Sequence, residues 1–171
     1  MKQIIGNRYV EMFKFASSQE VSFFLHNQGN TSIINFDETF GDNYFCYVCR
    51  HSLTKEKQFV LSFSSNESSD NLNFLFWEKH NLIILDTGTF IYLLDNKLNV
   101  VKSFEITTPL IGLYLTDKDD LLLLEEASIK LINSDGIVLR DELFDLIQDF
   151  SIEEDKLIIN TSEETKVFKL T

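Results

Sequence analysis

The sequence predicts an all-β fold of blade-like antiparallel β-meander repeats, preceded by an N-terminal β portion, and three observations carry that reading. Short apolar runs recur: Phe76-Trp77, Leu82–Leu85 and Ile91–Leu94 are echoed by Tyr114-Leu115, Leu121–Leu124 and Ile129–Ile132. They are echoed again by Phe150-Ser151, Leu157–Asn160 and Val167–Leu170. The spacing is regular, with Ile91, Ile129 and Val167 lying 38 residues apart and Leu82, Leu121 and Leu157 lying 39 and 36 apart. Turn-forming residues bound each run, as expected of strands rather than helices. A period of roughly 40 residues with several short strands per unit marks stacked or radially arranged meanders.

The N-terminal portion, residues 1–61, reads as β with ambiguity at its start. Asn7 to Ser17 fits either a short helix or a strand, and Glu20 to His26 reads as a strand around Val21-Ser-Phe-Phe-Leu. Asn27–Asn30 is a turn leading into a strand from Thr31 to Phe36, and Gly41-Asp-Asn is another turn. Tyr44–His51 and Gln58–Phe63 form a hairpin around Thr54-Lys-Glu-Lys. Residues 62–73 are polar and Ser-rich and mark a linker loop.

Three blade-like repeats follow over 74–171, the whole reading as one compact domain. Their turns are Lys79-His-Asn, Asp95-Asn-Lys, Asp117-Lys-Asp-Asp, Ser134-Asp-Gly and Glu153-Glu-Asp-Lys. With one Pro and six Gly in the chain, most turns rest on Asn, Asp and Ser. Asn96 and Gly136 are the expected positions of positive φ. Leu121–Leu124 is read as strand over a buried helical turn. Leu143 to Phe150 carries a competing helical face, which the repeat alignment makes a connection between blades. Three units are too few to close a propeller, so a partial or small β-propeller is expected, with the N-terminal strands completing or capping it.

At 171 residues the chain can bury a full core, and its apolar content of 44% excludes a disordered protein. The net charge is −12 and lies mostly in the second part, where residues 71–171 hold 19 acids and 9 bases. Such a surface repels phosphate backbones and anionic membranes and suits a basic protein partner. The start of the chain has no sustained apolar stretch or cleavage signal, and no run is long enough to span a membrane, so a cytoplasmic location is expected.

Candidate chemistry is sparse. Asp86-Thr87-Gly88 after an apolar run has the pattern of an aspartic protease strand, but such sites pair two aspartates and this motif occurs once. The repeat places Asp86 at a turn equivalent to Glu125. Cys46-Tyr-Val-Cys49 has half-site spacing for zinc or redox chemistry, yet on a strand these residues point to opposite faces. No metal site and no cofactor is expected. The acidic clusters Asp117, Asp119 and Asp120; Asp141, Glu142, Asp145 and Asp149; and Glu153, Glu154 and Asp155 are the candidate partner-binding residues, on loops where binding residues concentrate.

Asp145-Leu-Ile-Gln-Asp-Phe-Ser-Ile-Glu-Glu-Asp-Lys-Leu-Ile-Ile, with the later Lys166-Val-Phe-Lys-Leu, resembles the blade pattern of small bacterial propeller-like repeat proteins of the immunity-protein kind. The resemblance covers 74–171. It implies a non-enzymatic protein that neutralises a cognate basic toxin, of nuclease type, by covering its active site. The alternatives are a scaffold module of a larger assembly and, third, a hydrolase built on Asp86.

Overall fold

The computed structural model describes residues 2–5, 7–36 and 40–170, with side chains from Asn7 onward. Sixteen strands and one α-helix are formed among them. Two compact units share the chain: residues 1–76 with 86–90, and residues 77–85 with 91–171.

The first unit is a mixed five-stranded sheet. Its strands are β1 (Lys2–Ile5), β2 (Arg8–Phe15), β3 (Ser32–Phe36), β4 (Asn43–His51) and β5 (Lys57–Ser65), ordered β1-β2-β4-β5-β3. All pairs are antiparallel except β3 with β5. Strand β2, helix α1 (Ser18–His26) and β3 therefore make a crossover joining two parallel strands of one sheet, for which a helix is the usual connector.

One open alternative resolves as strand here, and one expectation is corrected. Residues 7–17 hold no helix: β2 pairs along its length with β4, matching Phe13 to Cys46 and Phe15 to Tyr44. Residues 20–26 are helix, not strand. The reason is a capping arrangement, Ser17-x-x-Glu20. The Ser17 hydroxyl accepts from the Glu20 amide at 3.3 Å, and the Glu20 carboxylate accepts from the Ala16 amide at 2.9 Å. Val21, Phe24 and Leu25 then share one helical face and pack on Cys46, Val48 and Val60, with Phe13 and Phe15 beside them. The expected β4–β5 hairpin is formed, and β5 runs on through Ser65, into the Ser-rich stretch.

The repeats are meanders, as expected. The first comprises β6 (Phe74–Trp77), β7 (Leu82–Asp86), β8 (Phe90–Leu94) and β9 (Val100–Glu105) in that order. The second comprises β10 (Leu110–Leu115), β11 (Leu121–Glu125), β12 (Ser128–Ile132) and β13 (Val138–Leu143). The third has β14 (Ile147–Glu153), β15 (Lys156–Thr161) and β16 (Thr165–Lys169). Leu143 to Phe150 holds no helix; it is the end of β13, a bend and the start of β14.

Inside the second unit the second and third meanders pack face to face. Leu122, Leu124, Ile129 and Leu131 meet Ile147, Leu157, Ile159 and Leu170, with Tyr114, Phe144, Phe150 and Phe168 around them. Leu121 and Leu123, on the opposite face of β11, are buried too. Burial on both faces is why Leu121–Leu124 is unbroken apolar sequence. Strand β15 alternates instead: Leu157 and Ile159 are buried, while Ile158 is half-buried opposite the exposed Val167.

The hairpins reuse one five-residue turn. At Asp95–Asn99 and Asn133–Ile137 the first side chain's Oδ1 accepts from the amides of the third and fifth residues, at 2.8–3.1 Å. The fourth residue, Leu98 or Gly136, takes φ of 69° or 74°. Positive φ therefore falls at Leu98 and not at Asn96, because the Asp95 carboxylate fixes the turn one step later than a two-residue hairpin would. Leu98 tolerates this conformation while its side chain is buried. Gly136 has no such room: a Cβ there would lie 2.9 Å from Cβ of Lys102. Gly136→Val should accordingly lower stability by about 1–3 kcal/mol, read as a lower denaturant midpoint at unchanged slope; an unchanged midpoint would show that the turn is not strained.

Candidate functional site

Two carboxylates are buried at equivalent repeat positions, Asp86 at the end of β7 and Glu125 at the end of β11. Each fastens the segment that enters its meander. Asp86 Oδ2 accepts from the backbone and side-chain amides of Asn73 at 3.2 and 2.9 Å, and Oδ1 accepts from the Gly88 amide at 2.7 Å. Glu125 Oε2 accepts from both amides and both hydroxyls of Thr107 and Thr108, and Oε1 pairs with Lys130 Nζ at 2.8 Å. In the third meander Thr161 takes this position, its hydroxyl closing the β15–β16 turn on Glu164.

Asp86-Thr87-Gly88 is thus the β7–β8 turn. Thr87 bonds to Phe90 through both backbone and hydroxyl, and the aspartate oxygens are occupied by the chain itself. Burial raises the Asp86 pKa despite its hydrogen bonds to Asn73 and Gly88. For Glu125 burial pushes upward as well, but the Lys130 ammonium and the threonine donors outweigh it and hold the carboxyl below its usual range.

Cys46 and Cys49 are free, buried and on opposite faces of β4. Cys46 lies among the residues under α1, and Cys49 Sγ reaches Gln58 Oε1 at 3.5 Å. Burial pushes their thiols up to about 12 and about 11, the latter eased by Arg8, so neither holds a thiolate at neutral pH. Among the described residues no group of three His, Cys, Asp or Glu side chains could hold a metal ion. No described helix is long and apolar enough to cross a membrane.

The ten candidate acids do not form one surface. The strand registers put Asp117, Asp119 and Asp120 at one end of the second meander and Asp141 and Glu142 toward the other. Glu153, Glu154 and Asp155 form the β14–β15 turn, opposite the end where β14 begins. Asp119 is an internal anchor, accepting from Trp77 Nε1 at 2.9 Å and pairing with His80 at 2.5 Å and Lys79 at 3.2 Å. Burial alone would raise its pKa, but the Trp77, Lys79 and His80 contacts lower it. Glu153 pairs across the sheet with Lys156, which in turn faces Lys169.

What the fold brings together is the β13–β14 connection with the β15–β16 turn. Leu143, Phe144, Asp145, Thr161, Glu163, Glu164 and Lys166 line a cleft of about 240 Å³ there. Lys166 pairs with Glu164 at 2.9 Å, lies over the Phe144 ring at 5.2 Å, and has its pKa raised first by Glu164 and further by Glu142 and Asp145. Beside this cleft, the exposed Leu143 and Leu146 sit among Asp141, Glu142, Asp145 and Asp149, while the exposed Val138 and Leu139 lie at the other end of β13. Sequence reading missed Glu163 and Glu164 because they belong to a different turn. It also missed these apolar residues, although Ile137-Val138-Leu139 on an outer strand, where the second meander has no further partner strand, was a usable signal.

No family model matches the chain, and no curated protein matches it. Several solved structures do. Hsv2 of Kluyvelomyces marxianus is 10% identical, with a TM-score of 0.48 over 80% of this chain and 46% of that one. BamB from Moraxella catarrhalis is 12% identical, with a TM-score of 0.49 over 77% and 41%. A catalytically inactive H270A virginiamycin B lyase from Staphylococcus aureus, with quinupristin, is 9% identical, with a TM-score of 0.45 over 94% and 60%. The chain spans about half the length of these structures.

The two buried carboxylates should respond to acid with opposite signs. Glu125, lowered in the fold, stabilises above the ordinary carboxylate range and loses that contribution as pH falls through its own pKa. Asp86, raised in the fold, favours the native state most when protonated and loses that preference as pH rises through its raised pKa. Glu125→Ala should cost about 3–5 kcal/mol at neutral pH, because it leaves Lys130 without its buried partner. The loss relative to the unsubstituted chain should shrink in acid. Denaturant titrations at neutral and acidic pH check this, and a pH-independent difference would contradict the ion pair.

Proposed function

We propose that this chain is a non-enzymatic binding protein that holds a basic protein partner on the acidic, apolar-studded surface around the β13–β14 connection. The observation that carries the reading is the interleaving of exposed Leu143 and Leu146 with Asp141, Glu142, Asp145 and Asp149. Buried apolar contacts supply holding strength at an interface, and surrounding charge supplies selection and fast encounter. The chain's own Lys166, pairing with Glu164 over the Phe144 ring, illustrates how a partner's lysine or arginine would be received. The most concrete form is an immunity protein in the cytoplasm that blocks the cationic cleft of a nuclease-type toxin. A second reading, a scaffold module, draws on the same apolar residues and expects them to dominate.

The two readings separate kinetically. The partner is first captured from the native host at low salt and identified, and its binding to purified variants is then followed. Reversing Asp141, Glu142 and Asp145 to Lys should slow association roughly tenfold or more and flatten its dependence on salt, since the steering field acts before contact. Leu143→Ser should mainly speed dissociation. Unchanged association after charge reversal would overturn the acidic-surface mechanism, and a loss confined to Leu143→Ser would favour the scaffold.

A further inference from the structure

The third meander has one strand fewer than the other two. In the first and second, β8 and β12 are covered along their outer edges by a fourth strand, β9 or β13. Strand β16 holds the same place in its meander, yet among the described residues no strand pairs beyond it.

The hydrogen-bond phase fixes what that edge presents. Thr161 N–H donates to the Glu164 carbonyl at 2.9 Å, and Leu170 N–H donates to the Asp155 carbonyl at 2.7 Å. These two bonds bracket the β15–β16 ladder, which runs from Asn160 opposite Thr165 to Lys156 opposite Lys169 without a bulge. Bonded and non-bonded positions alternate along an antiparallel pair, so Lys166 and Phe168 are the residues bonded to β15. The N–H and C=O groups of Thr165, Val167 and Lys169 therefore point outward, where they form a template for a further strand. Edge strands are ordinarily blunted by proline, a bulge or lysine. Strand β16 has neither proline nor bulge, and its Lys166 is turned onto Glu164 at 2.9 Å and over the Phe144 ring.

The side chains along the edge add a pattern. Phe168 packs toward the second meander, so Val167 stands on the opposite face, 60% exposed, beside the half-buried Ile158. The two make an apolar row whose outer place is open. Charge changes sign along the strand: the exposed Lys169, 3.9 Å from Asp155, lies at one end, and the exposed Glu163 and Glu164 lie at the other.

We propose that the outer edge of β16 accepts an extended segment of a partner protein as the fourth strand of this meander. The segment runs antiparallel, as β13 does on β12, with an acidic residue opposite Lys169, an apolar one opposite Val167 and a basic one opposite Glu164. The main-chain ladder supplies holding strength, and the side-chain positions supply selection. Such a segment takes the place that β13 takes in the second meander, so it displaces no strand. It needs neither Leu143 nor Asp141 and is independent of the acidic-surface reading.

The test uses the full chain and the peptide acetyl-Glu-Val-Val-Thr-Thr-Lys-amide, with the charge-swapped acetyl-Lys-Val-Val-Thr-Thr-Glu-amide as control. Amide hydrogen exchange followed by NMR should show Thr165, Val167 and Lys169 exchanging rapidly in the chain alone. Millimolar peptide should slow these three by roughly tenfold or more, while Lys166 and Phe168, already bonded to β15, change little. The charge-swapped peptide should bind roughly fivefold more weakly, and Lys169→Glu should bring the two peptides to equal affinity. Val167→Pro removes an outward N–H and no ladder bond, so it should leave the fold intact and abolish binding. Lack of slowing at the three amides, slowing spread evenly along β16, equal binding of the two peptides by the unsubstituted chain, or binding retained by Val167→Pro would each overturn the proposal.

Discussion

The second unit depends on the buried contact of Glu125 with Thr107, Thr108 and Lys130. A meander is held laterally by its ladder, but nothing in a ladder fixes where the chain enters. The carboxylate does this by gathering the amides and hydroxyls of the entering segment at one point. Its burial would be unfavourable for an isolated charge, and the Lys130 ammonium with the threonine donors supplies the compensation that such a group requires. With the entry fixed, β10 and β11 hold their register, and Leu122 and Leu124 face Ile147, Leu157 and Ile159 in the adjoining sheet. Asp86 does the same for Asn73 with a shorter side chain and no cation, and its carboxyl responds by holding its proton more tightly.

This arrangement bears on function because it separates two kinds of acid that composition cannot tell apart. Asp86, Asp119 and Glu125 are internal fastenings. Asp141, Glu142, Asp145, Glu163 and Glu164 are exposed and lie where the third meander begins or turns. The latter group can meet a partner without unfastening the fold, as can the exposed Asp117, Asp149, Glu153 and Glu154. Net charge alone therefore overstates the acidic surface by the acids that are tied inside.

Much of the fold was legible in the sequence, and the reasons are specific. The 38-residue spacing of Ile91, Ile129 and Val167 located three meanders because each falls on the equivalent strand, β8, β12 and β16, although Ile91 and Ile129 are buried and Val167 is exposed. The opposite orientation of Cys46 and Cys49 followed from strand periodicity alone. Helix α1 escaped because Val21-Ser-Phe-Phe-Leu is rich in strand-favouring aromatics, and the capping residues Ser17 and Glu20 lie upstream of the run that drew attention. The candidate surface was only half legible: Asp141, Glu142 and Asp145 stood out as a charge cluster, whereas Glu163, Glu164 and Lys166 join them through the β15–β16 turn, which no local pattern announces.

The placement of the two cysteines has a practical side. Both thiols are sealed within the first unit, one under the helix and one on the far side of the sheet, and both are held protonated by burial. Thiol reagents act on the exposed thiolate, so the folded chain is silent toward them. A cysteine introduced anywhere on the second unit can therefore carry a dye or spin label in the otherwise native protein. The natural pair, left in place, becomes a built-in clock for opening of the first unit, each sulfur reporting the exposure of its own face of the sheet.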